Sequence, residues 1–157
     1  ALQIAEKPYL GQPSYYEWLR QQFYKKREIL EEGLRAVGIE PLMSHGGFFM
    51  MGRLPYYEDL EIVNDLQHLS IIGDKEMGHE SEPYDWRFCR KLAIDYGVVA
   101  IPTSSFFTAN SSIAETLGPL ARFAFCKKDE TLIGARDRLI AYGKKHNIKA
   151  LVKKETH

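Results

Sequence analysis

The sequence predicts a two-layer α/β fold, an α+β sandwich in which a small mixed sheet carries helices mainly on one face. Three observations predict this class. A capping box opens a long amphipathic segment, two further helical segments end at glycines, and apolar runs suited to strands lie between the helices. The chain has 157 residues, which is enough for one domain with a single core.

The first helix is predicted to begin at Ser14, because Ser14 and Glu17 have the spacing of a capping box. A left-handed stop at Gly38 should end it. At about 100° per residue, one narrow stripe along this segment is apolar and should face a core. Lys26 interrupts the stripe, and we expect its stem to lie on apolar surface with its ammonium in water. The stripe consists of Tyr16, Leu19, Phe23, Leu30, Leu34 and Val37.

Two strands and a long connection are predicted next. Residues 39–43 include Pro41, so a strand there belongs at an edge of the sheet, where a missing N–H donor is harmless. Residues 46–51 form an unbroken apolar run that begins with two glycines, which suits a strand covered on both faces. From Arg53 to Glu82 the chain is acidic and turn-rich, which is typical of a connection that covers a site or lies in solvent.

The second half of the chain alternates between helix and strand again. Pro83 suits the first turn of a helix that Gly97 ends. Residues 98–101 are expected to form a buried strand, and a small polar loop follows it. Residues 120–126 alternate as a further strand. The predicted core face of this second helix consists of Phe88, Cys89, Leu92, Ala93 and Tyr96.

A last helix is predicted near the end of the chain. Asp129 is its expected cap, and Gly143 is its expected last residue. A lysine-rich tail follows, which we expect to be a solvated end.

Composition argues against several classes of partner. With 21 Lys+Arg against 21 Asp+Glu, the chain has no net charge that would attract a nucleic acid or an anionic membrane. Cys89 and Cys126 lack the paired spacing of a zinc site or a disulfide framework. No apolar run is long enough for a membrane span, and the first residues lack the features of a signal peptide, so a soluble, intracellular protein is expected.

Arg122 is the residue that most needs an explanation. It lies in a strand-like run, on one face with Leu120 and Ala124, where burial of a guanidinium is costly unless an anion meets it. An Asp or Glu of the same chain could supply that anion. The alternative is a clamp on the carboxylate of a ligand, which needs the planar fork of arginine. The residues alone leave both interpretations open.

Other residues carry weaker signals. Gly46 and Gly47 suit either a tight turn into a strand or a close approach of the backbone to a ligand. His45 has no acid or nucleophile at a recognisable spacing, and Ser104 and Ser105 lack the glycines of a nucleophile elbow. We therefore expect a turn histidine and two loop serines rather than a hydrolase site.

Four segments together resemble a known family. They are GGFF at 46–49, EPYDWRFC at 82–89, GVVAIPTSSFF at 97–107, and ARFAF at 121–125 followed by KKDETL at 127–132. In this order and spacing they resemble the carboxyl-terminal small domain of fold-type-I pyridoxal-phosphate aminotransferases. Within that group the chain is similar to the kynurenine aminotransferases, which overlap with glutamine transaminase K and cysteine-conjugate β-lyase.

The resemblance implies a function. The complete enzyme would move an amino group between an amino acid and a 2-oxo acid, with aromatic or sulfur-containing amino acids as donors. Arg122 would hold the α-carboxylate of the substrate against the cofactor, pyridoxal 5'-phosphate. Gly47 and Phe48 would lie near the substrate side chain, and the loop at 104–107 would lie near the junction with another domain.

The resemblance also implies that most of the active site lies elsewhere. The Ser-x-x-Lys setting of the Schiff-base lysine and the Gly-x-Arg-x-Gly stretch do not occur in this sequence. We therefore assign no catalytic, cofactor-binding or metal-binding residue here, and we expect the isolated domain to be inactive. Its partner would be the large cofactor-binding domain of the same enzyme, which would be a homodimer in the cytoplasm, with mitochondria as the alternative location.

The resemblance sets domain boundaries as well. Residues 1–13 would be the end of a large-domain helix and the hinge, residues 14–143 the small domain, and residues 144–157 a basic tail. A rival interpretation is a stand-alone α/β binding or regulatory module in which Arg122 captures an acidic metabolite without any reaction. A third interpretation is purely structural, with Arg122 in an internal ion pair.

Overall fold

In the computed structural model of the chain, residues 2–55, 83–107 and 116–153 are described. Most of the predicted connection from Arg53 to Glu82 therefore lies outside the described residues. The helices are α1 (Leu2–Ala5), α2 (Tyr15–Ala36), α3 (Tyr84–Tyr96) and α4 (Asp129–Lys145), and a 3-10 turn spans Ser104–Phe106. The strands are β1 (Glu40–Pro41), β2 (Phe49–Arg53), β3 (Ile101–Pro102) and β4 (Leu120–Ala124).

The four strands form one sheet in the order β1-β2-β4-β3. Each neighbouring pair is antiparallel, so among the described strands the pairing is antiparallel throughout rather than mixed. Helices α2, α3 and α4 all contribute buried side chains to one core with Met50, Ala121 and Phe123 of the sheet. The two-layer α/β fold class is therefore confirmed, with the helices on one face of the sheet.

Helix α2 begins and ends where the local signals place it. The Ser14 side chain accepts a hydrogen bond from the Glu17 amide at 3.2 Å, and Gly38 has a φ of +69° just after the helix. Only the second half of the apolar stripe is deeply buried, since Leu34 is 0% exposed whereas Tyr16 is 48% exposed. The first half of α2 therefore extends beyond the core.

Helices α2 and α4 pack backbone to backbone. A methyl group at Gly33 would lie 2.9 Å from the Cα of Arg136, and one at Gly143 would lie 2.3 Å from the carbonyl oxygen of Ala36. Both distances are shorter than a carbon contact allows, so these two positions require glycine at this spacing. Because the two helix backbones lie this close together, Leu139 of α4 packs in the core.

The strands are less buried than their composition predicts. Met50 is fully buried, but its neighbour Phe49 is 39% exposed, so the prediction that β2 is covered on both faces is wrong. Residues 98–101 also alternate, with Val98 buried and Val99 78% exposed, and only Ile101 of this run belongs to β3. The helices cover one face of this small sheet, and the second face stays open among the described residues.

The last helix and its tail differ from expectation in two respects. Lys128 rather than Asp129 occupies the cap position, and the Asp129 carboxylate instead pairs with the ammonium of Lys26, which also donates to the carbonyl oxygen of Lys127. Lys26 is thus tied to the start of α4 rather than free in water. The tail runs back along α2, where the Leu151 amide donates to the Arg35 carbonyl oxygen at 2.9 Å, so it is docked on that helix although residues 149–153 are exposed to solvent.

Candidate functional site

Arg122 lies at the centre of the sheet, on the face that the helices leave open. Its neighbours along β4, Ala121 and Phe123, are 0% and 2% exposed and point into the core. Alternation along a strand then directs Arg122 to the opposite face. Arg122 is in register with Met51 of β2 on one side and Ile101 of β3 on the other, so strands flank it on both sides.

Two aromatic rings bracket the guanidinium. The Cζ atom of Arg122 lies 4.5 Å from the centre of the Phe49 ring and 5.4 Å from that of Phe106. Contacts of this kind attract the cation to the ring face and remove water from it. The guanidinium is therefore held by rings from β2 and from the 3-10 turn, and no carboxylate among the described residues pairs with it.

The hydrogen-bonding capacity of Arg122 is not used by the part of the chain that the structure describes. Its Nε is buried and has no hydrogen-bond partner there, and no Asp or Glu among those residues forms an ion pair with it. A buried donor without a partner is costly and rare in a folded protein. Of the interpretations left open by the sequence, the internal ion pair has no support among these residues.

Gly47 and Phe48 lie in the turn that precedes β2, next to the ring of Phe49 that contacts Arg122. Gly47 has a φ of +71°, which favours glycine and turns the chain into β2. The Phe48 carbonyl oxygen accepts from the Phe125 amide at 3.0 Å, and the Phe48 ring centre lies 4.5 Å from that of Phe49. The Phe48 ring is 44% exposed, and through Phe49 the turn is coupled to Arg122. Gly46 and Gly47 also line a cleft of about 380 Å³ beside α2.

Asp85 belongs to the surroundings of the site, although no sequence motif predicted it there. This carboxylate is 3% exposed, and its Oδ2 accepts hydrogen bonds from the amides of Thr103 at 2.8 Å and Ser104 at 2.7 Å. Its Oδ1 accepts from the Trp86 amide at 3.1 Å. Asp85 therefore joins the start of α3 to the turn that carries Phe106. The available signal was an aspartate in the first turn of a helix, where N–H groups are free.

Cys89 lies one turn further along α3 and is buried. Burial, and then the nearby Asp85 carboxylate, raise the pKa of the Cys89 thiol from 9.0 to about 12. A thiol with so high a pKa is a poor nucleophile. Cys126, in contrast, is exposed.

Of the remaining sequence candidates, Ser104 reaches the site through its amide, which donates to Asp85, and none forms an ion pair or hydrogen bond with Arg122 in the described residues. His45 is exposed in the turn before β2, and the 3-10 turn places Ser104 and Ser105 in a loop, as expected. No group of His, Cys, Asp and Glu that could hold a metal ion occurs among the described residues. Within the same residues, no helix combines the length and the apolar character needed to cross a membrane.

Comparison with known proteins identifies the fold. No family model matches the sequence. Kynurenine–oxoglutarate transaminase from Dictyostelium discoideum is 31% identical over 140 residues, which make up 83% of this chain and 29% of that protein. The structure of Bna3p from Saccharomyces cerevisiae matches with a TM-score of 0.60 at 25% identity, over 83% of this chain and 28% of that one. The chain has the small-domain fold of the fold-type-I aminotransferases.

A third protein has a region of similar structure. YbdL from Escherichia coli, for which a methionine aminotransferase function is identified, matches with a TM-score of 0.51 at 26% identity. The match covers 77% of this chain and 25% of YbdL. The small domain thus spans between about a quarter and three tenths of the relatives that it matches.

Proposed function

We propose that this small domain supplies the carboxylate-binding arginine, Arg122, of a pyridoxal-phosphate-dependent aminotransferase. The observation that carries the proposal is the guanidinium itself, which lies on the open face of the sheet with a buried Nε that no described residue binds. A carboxylate would satisfy this donor and its neighbours through two parallel hydrogen bonds. Amino acids and 2-oxo acids share an α-carboxylate, so one arginine would serve both substrates.

The role of Arg122 would be to orient the substrate rather than to transfer a proton. Rings from Phe49 and Phe106 already bracket the guanidinium, so little of its freedom would remain to be lost on binding. A carboxylate held by this fork would fix the direction of the Cα–H bond beside it. The Gly47–Phe48 turn, coupled to Arg122 through Phe49, would then lie near the substrate side chain.

The choice of substrate follows from the relatives. The curated relatives are named for kynurenine and oxoglutarate, and YbdL for methionine. We infer that the donor is an aromatic or sulfur-containing amino acid and that the acceptor is a 2-oxo acid. The exposed ring of Phe48 is suited to contact with an apolar or aromatic side chain.

The described residues fit the substrate side of the reaction and not the cofactor. Lys26 is bound to Asp129 and Lys91 pairs with Asp95 at 2.8 Å, and the sequence has no Ser-x-x-Lys segment. Pyridoxal phosphate, when bound, supplies the electron sink for loss of the Cα proton. We propose that a large domain of the same enzyme holds the pyridoxal phosphate and docks on the open face of the sheet. This large domain would be required for activity, and the complete enzyme would be a homodimer.

The test is replacement of Arg122 in the protein that carries this domain together with the cofactor-binding domain. Arg122→Lys keeps the charge but loses the fork, so kcat/KM for the amino acid and for the oxo acid should both fall by roughly 30-fold or more. The matched control is Arg136→Lys, because Arg136 lies on α4 and pairs with Asp137 at 2.8 Å. Unchanged kinetics for both substrates would remove Arg122 from the site.

The same experiment distinguishes the aminotransferase from the rival interpretation, a stand-alone binding or regulatory module. If the wild-type protein bound a dicarboxylate through Arg122 but transferred no amino group, a binding or regulatory module would be favoured instead. Loss of that binding in Arg122→Lys would then assign the arginine to ligand capture alone.

A further inference from the structure

Asp85 is a buried charge whose partners are backbone amides. It is 3% exposed, and three N–H groups donate to it, from Trp86, Thr103 and Ser104. No Lys or Arg among the described residues forms an ion pair with it. Burial of a carboxylate is costly because the group loses its hydration. Hydrogen bonds to the backbone of a turn 18 residues further along the chain offset this cost for Asp85.

Among the described residues, few other contacts support the turn that Asp85 holds. Strand β3 is only two residues long, and its second residue, Pro102, has no N–H to donate to the sheet. Beyond Pro102, the Thr103 hydroxyl donates to the Leu120 carbonyl oxygen at 3.0 Å. The two hydrogen bonds to Asp85 Oδ2 are therefore a large share of the contacts that fix the start of the 3-10 turn.

The turn carries Phe106 to Arg122. The Phe106 amide donates to the Thr103 carbonyl oxygen at 2.9 Å, so the position of the ring depends on the position of Thr103. The Phe106 ring is 62% exposed, so the core does not hold it. Its centre nevertheless lies 5.4 Å from the Arg122 Cζ atom.

We propose that Asp85 is a positioning residue for carboxylate binding: it fixes the amides of Thr103 and Ser104, and thereby holds Phe106 against the guanidinium of Arg122. This inference rests on the proposed function of Arg122. Asp85 touches neither substrate nor Arg122 and acts through the turn. Phe106 in turn limits the orientations that the guanidinium can adopt before a carboxylate arrives.

The first arm of the test does not depend on activity. In Asp85→Asn the negative charge that strengthens all three hydrogen bonds is lost, and the amide NH₂ meets either the Trp86 N–H or the N–H groups of Thr103 and Ser104. Hydrogen exchange at the Thr103 and Ser104 amides should be at least about tenfold faster than in the wild type, while exchange in β4 stays the same. Asp95→Asn is the matched control on the same helix, because Asp95 pairs only with Lys91 in the described residues. Unchanged protection at Thr103 and Ser104 would overturn the proposal.

The second arm measures kinetics in the protein with its cofactor-binding domain. Asp85→Asn should raise KM for the amino acid and the oxo acid by the same factor, about twofold to fivefold, with kcat nearly unchanged. Phe106→Leu should produce the same shift, and the double variant should be no worse than either single one. A fall in kcat at constant KM, or effects that multiply in the double variant, would mean that Asp85 serves stability alone.

Two further outcomes remain decisive. If Asp85→Asn does not fold, Phe106→Leu alone decides, since this exposed ring is not needed for the core, and an unchanged KM in that variant refutes the proposal. If the wild-type protein transfers no amino group, the proposed function of Arg122 is refuted. The proposed role of Asp85 in carboxylate binding for transamination is then refuted as well. The exchange arm then still reports whether Asp85 holds the turn.

Discussion

The Cζ atom of Arg122 lies 4.5 Å from the centre of the Phe49 ring. The two residues come from adjacent antiparallel strands, in which Phe49 is in register with Ala124 and Met51 with Arg122. Phe49 thus reaches Arg122 diagonally across the open face of the sheet. This contact engages the charge of the guanidinium and leaves its Nε–H without an acceptor among the described residues.

Phe49→Leu should weaken carboxylate binding by removing this ring. The loss of one guanidinium–ring contact is about 0.5–1 kcal/mol at a partly exposed site, so KM for both substrates should rise about twofold to fivefold. Phe49→Tyr keeps the ring and should leave KM at the wild-type value. Steady-state kinetics of the two variants side by side is the measurement, and equal KM values for Leu and Tyr at this position would contradict the prediction.

Two glycines of helix α4 should respond oppositely to alanine. A Cβ at Gly134 would meet no atom outside its own stretch of helix within 4 Å, so Gly134→Ala should raise the free energy of unfolding by about 0.5–1 kcal/mol. Gly143→Ala would place a methyl group 2.3 Å from the Ala36 carbonyl oxygen and should lower it by about 2–3 kcal/mol. Urea unfolding of the two variants measures both effects. An unchanged stability of Gly143→Ala would mean that α2 and α4 separate without cost.

Asp85→Ala should be among the more destabilising changes on α3. It leaves three N–H donors without their acceptor, which should lower the free energy of unfolding by about 3 kcal/mol. Asp95→Ala removes only a surface ion pair with Lys91 and should cost no more than about 0.5 kcal/mol. Chemical denaturation monitored by circular dichroism measures the difference, and similar losses for both variants would contradict it.

The Cys89 thiol should make stability depend on pH in the alkaline range. Its pKa is raised from 9.0 to about 12 in the folded chain, so the folded state keeps a proton that the unfolded state releases. The stabilisation is complete below pH 9.0 and falls as the pH rises towards about 12. The difference in unfolding free energy between wild type and Cys89→Ala should shrink by about 1.4 kcal/mol per pH unit in that window. If this difference in unfolding free energy stays constant between about pH 8 and about pH 11, the assignment of the pH dependence to Cys89 is refuted.

Alkylation at neutral pH offers an independent check on the cysteines. Cys126 is exposed and should react with iodoacetamide in the native protein, whereas buried Cys89 should react only after unfolding. Mass spectrometry of the labelled protein counts the modified thiols. Labelling of Cys89 in the native state at the rate of Cys126 would contradict its burial.

Local chemistry accounts for the parts of the fold that the sequence predicted well. The cap at Ser14 and the left-handed glycines at Gly38 and Gly97 depend on residues within one turn, and they occur where predicted. The strand at Pro41 lies at an edge for a similarly local reason, a missing donor. Two-sided cover for β2 was predicted wrongly, since the exposed Phe49 and the buried Met50 are equally apolar and composition cannot tell which face the helices cover.

The sequence by itself determined the existence of α2, α3 and α4, the ends of α2 and α3, the strand that carries Arg122 and the resemblance to an aminotransferase small domain. Only the tertiary structure decided that no described carboxylate meets Arg122, that Phe49 and Phe106 bracket it, and that Asp85 holds the turn between. The physical reason is range: caps and periodicity act between neighbours in sequence, whereas the environment of a buried charge is set by residues that folding brings together from separate elements.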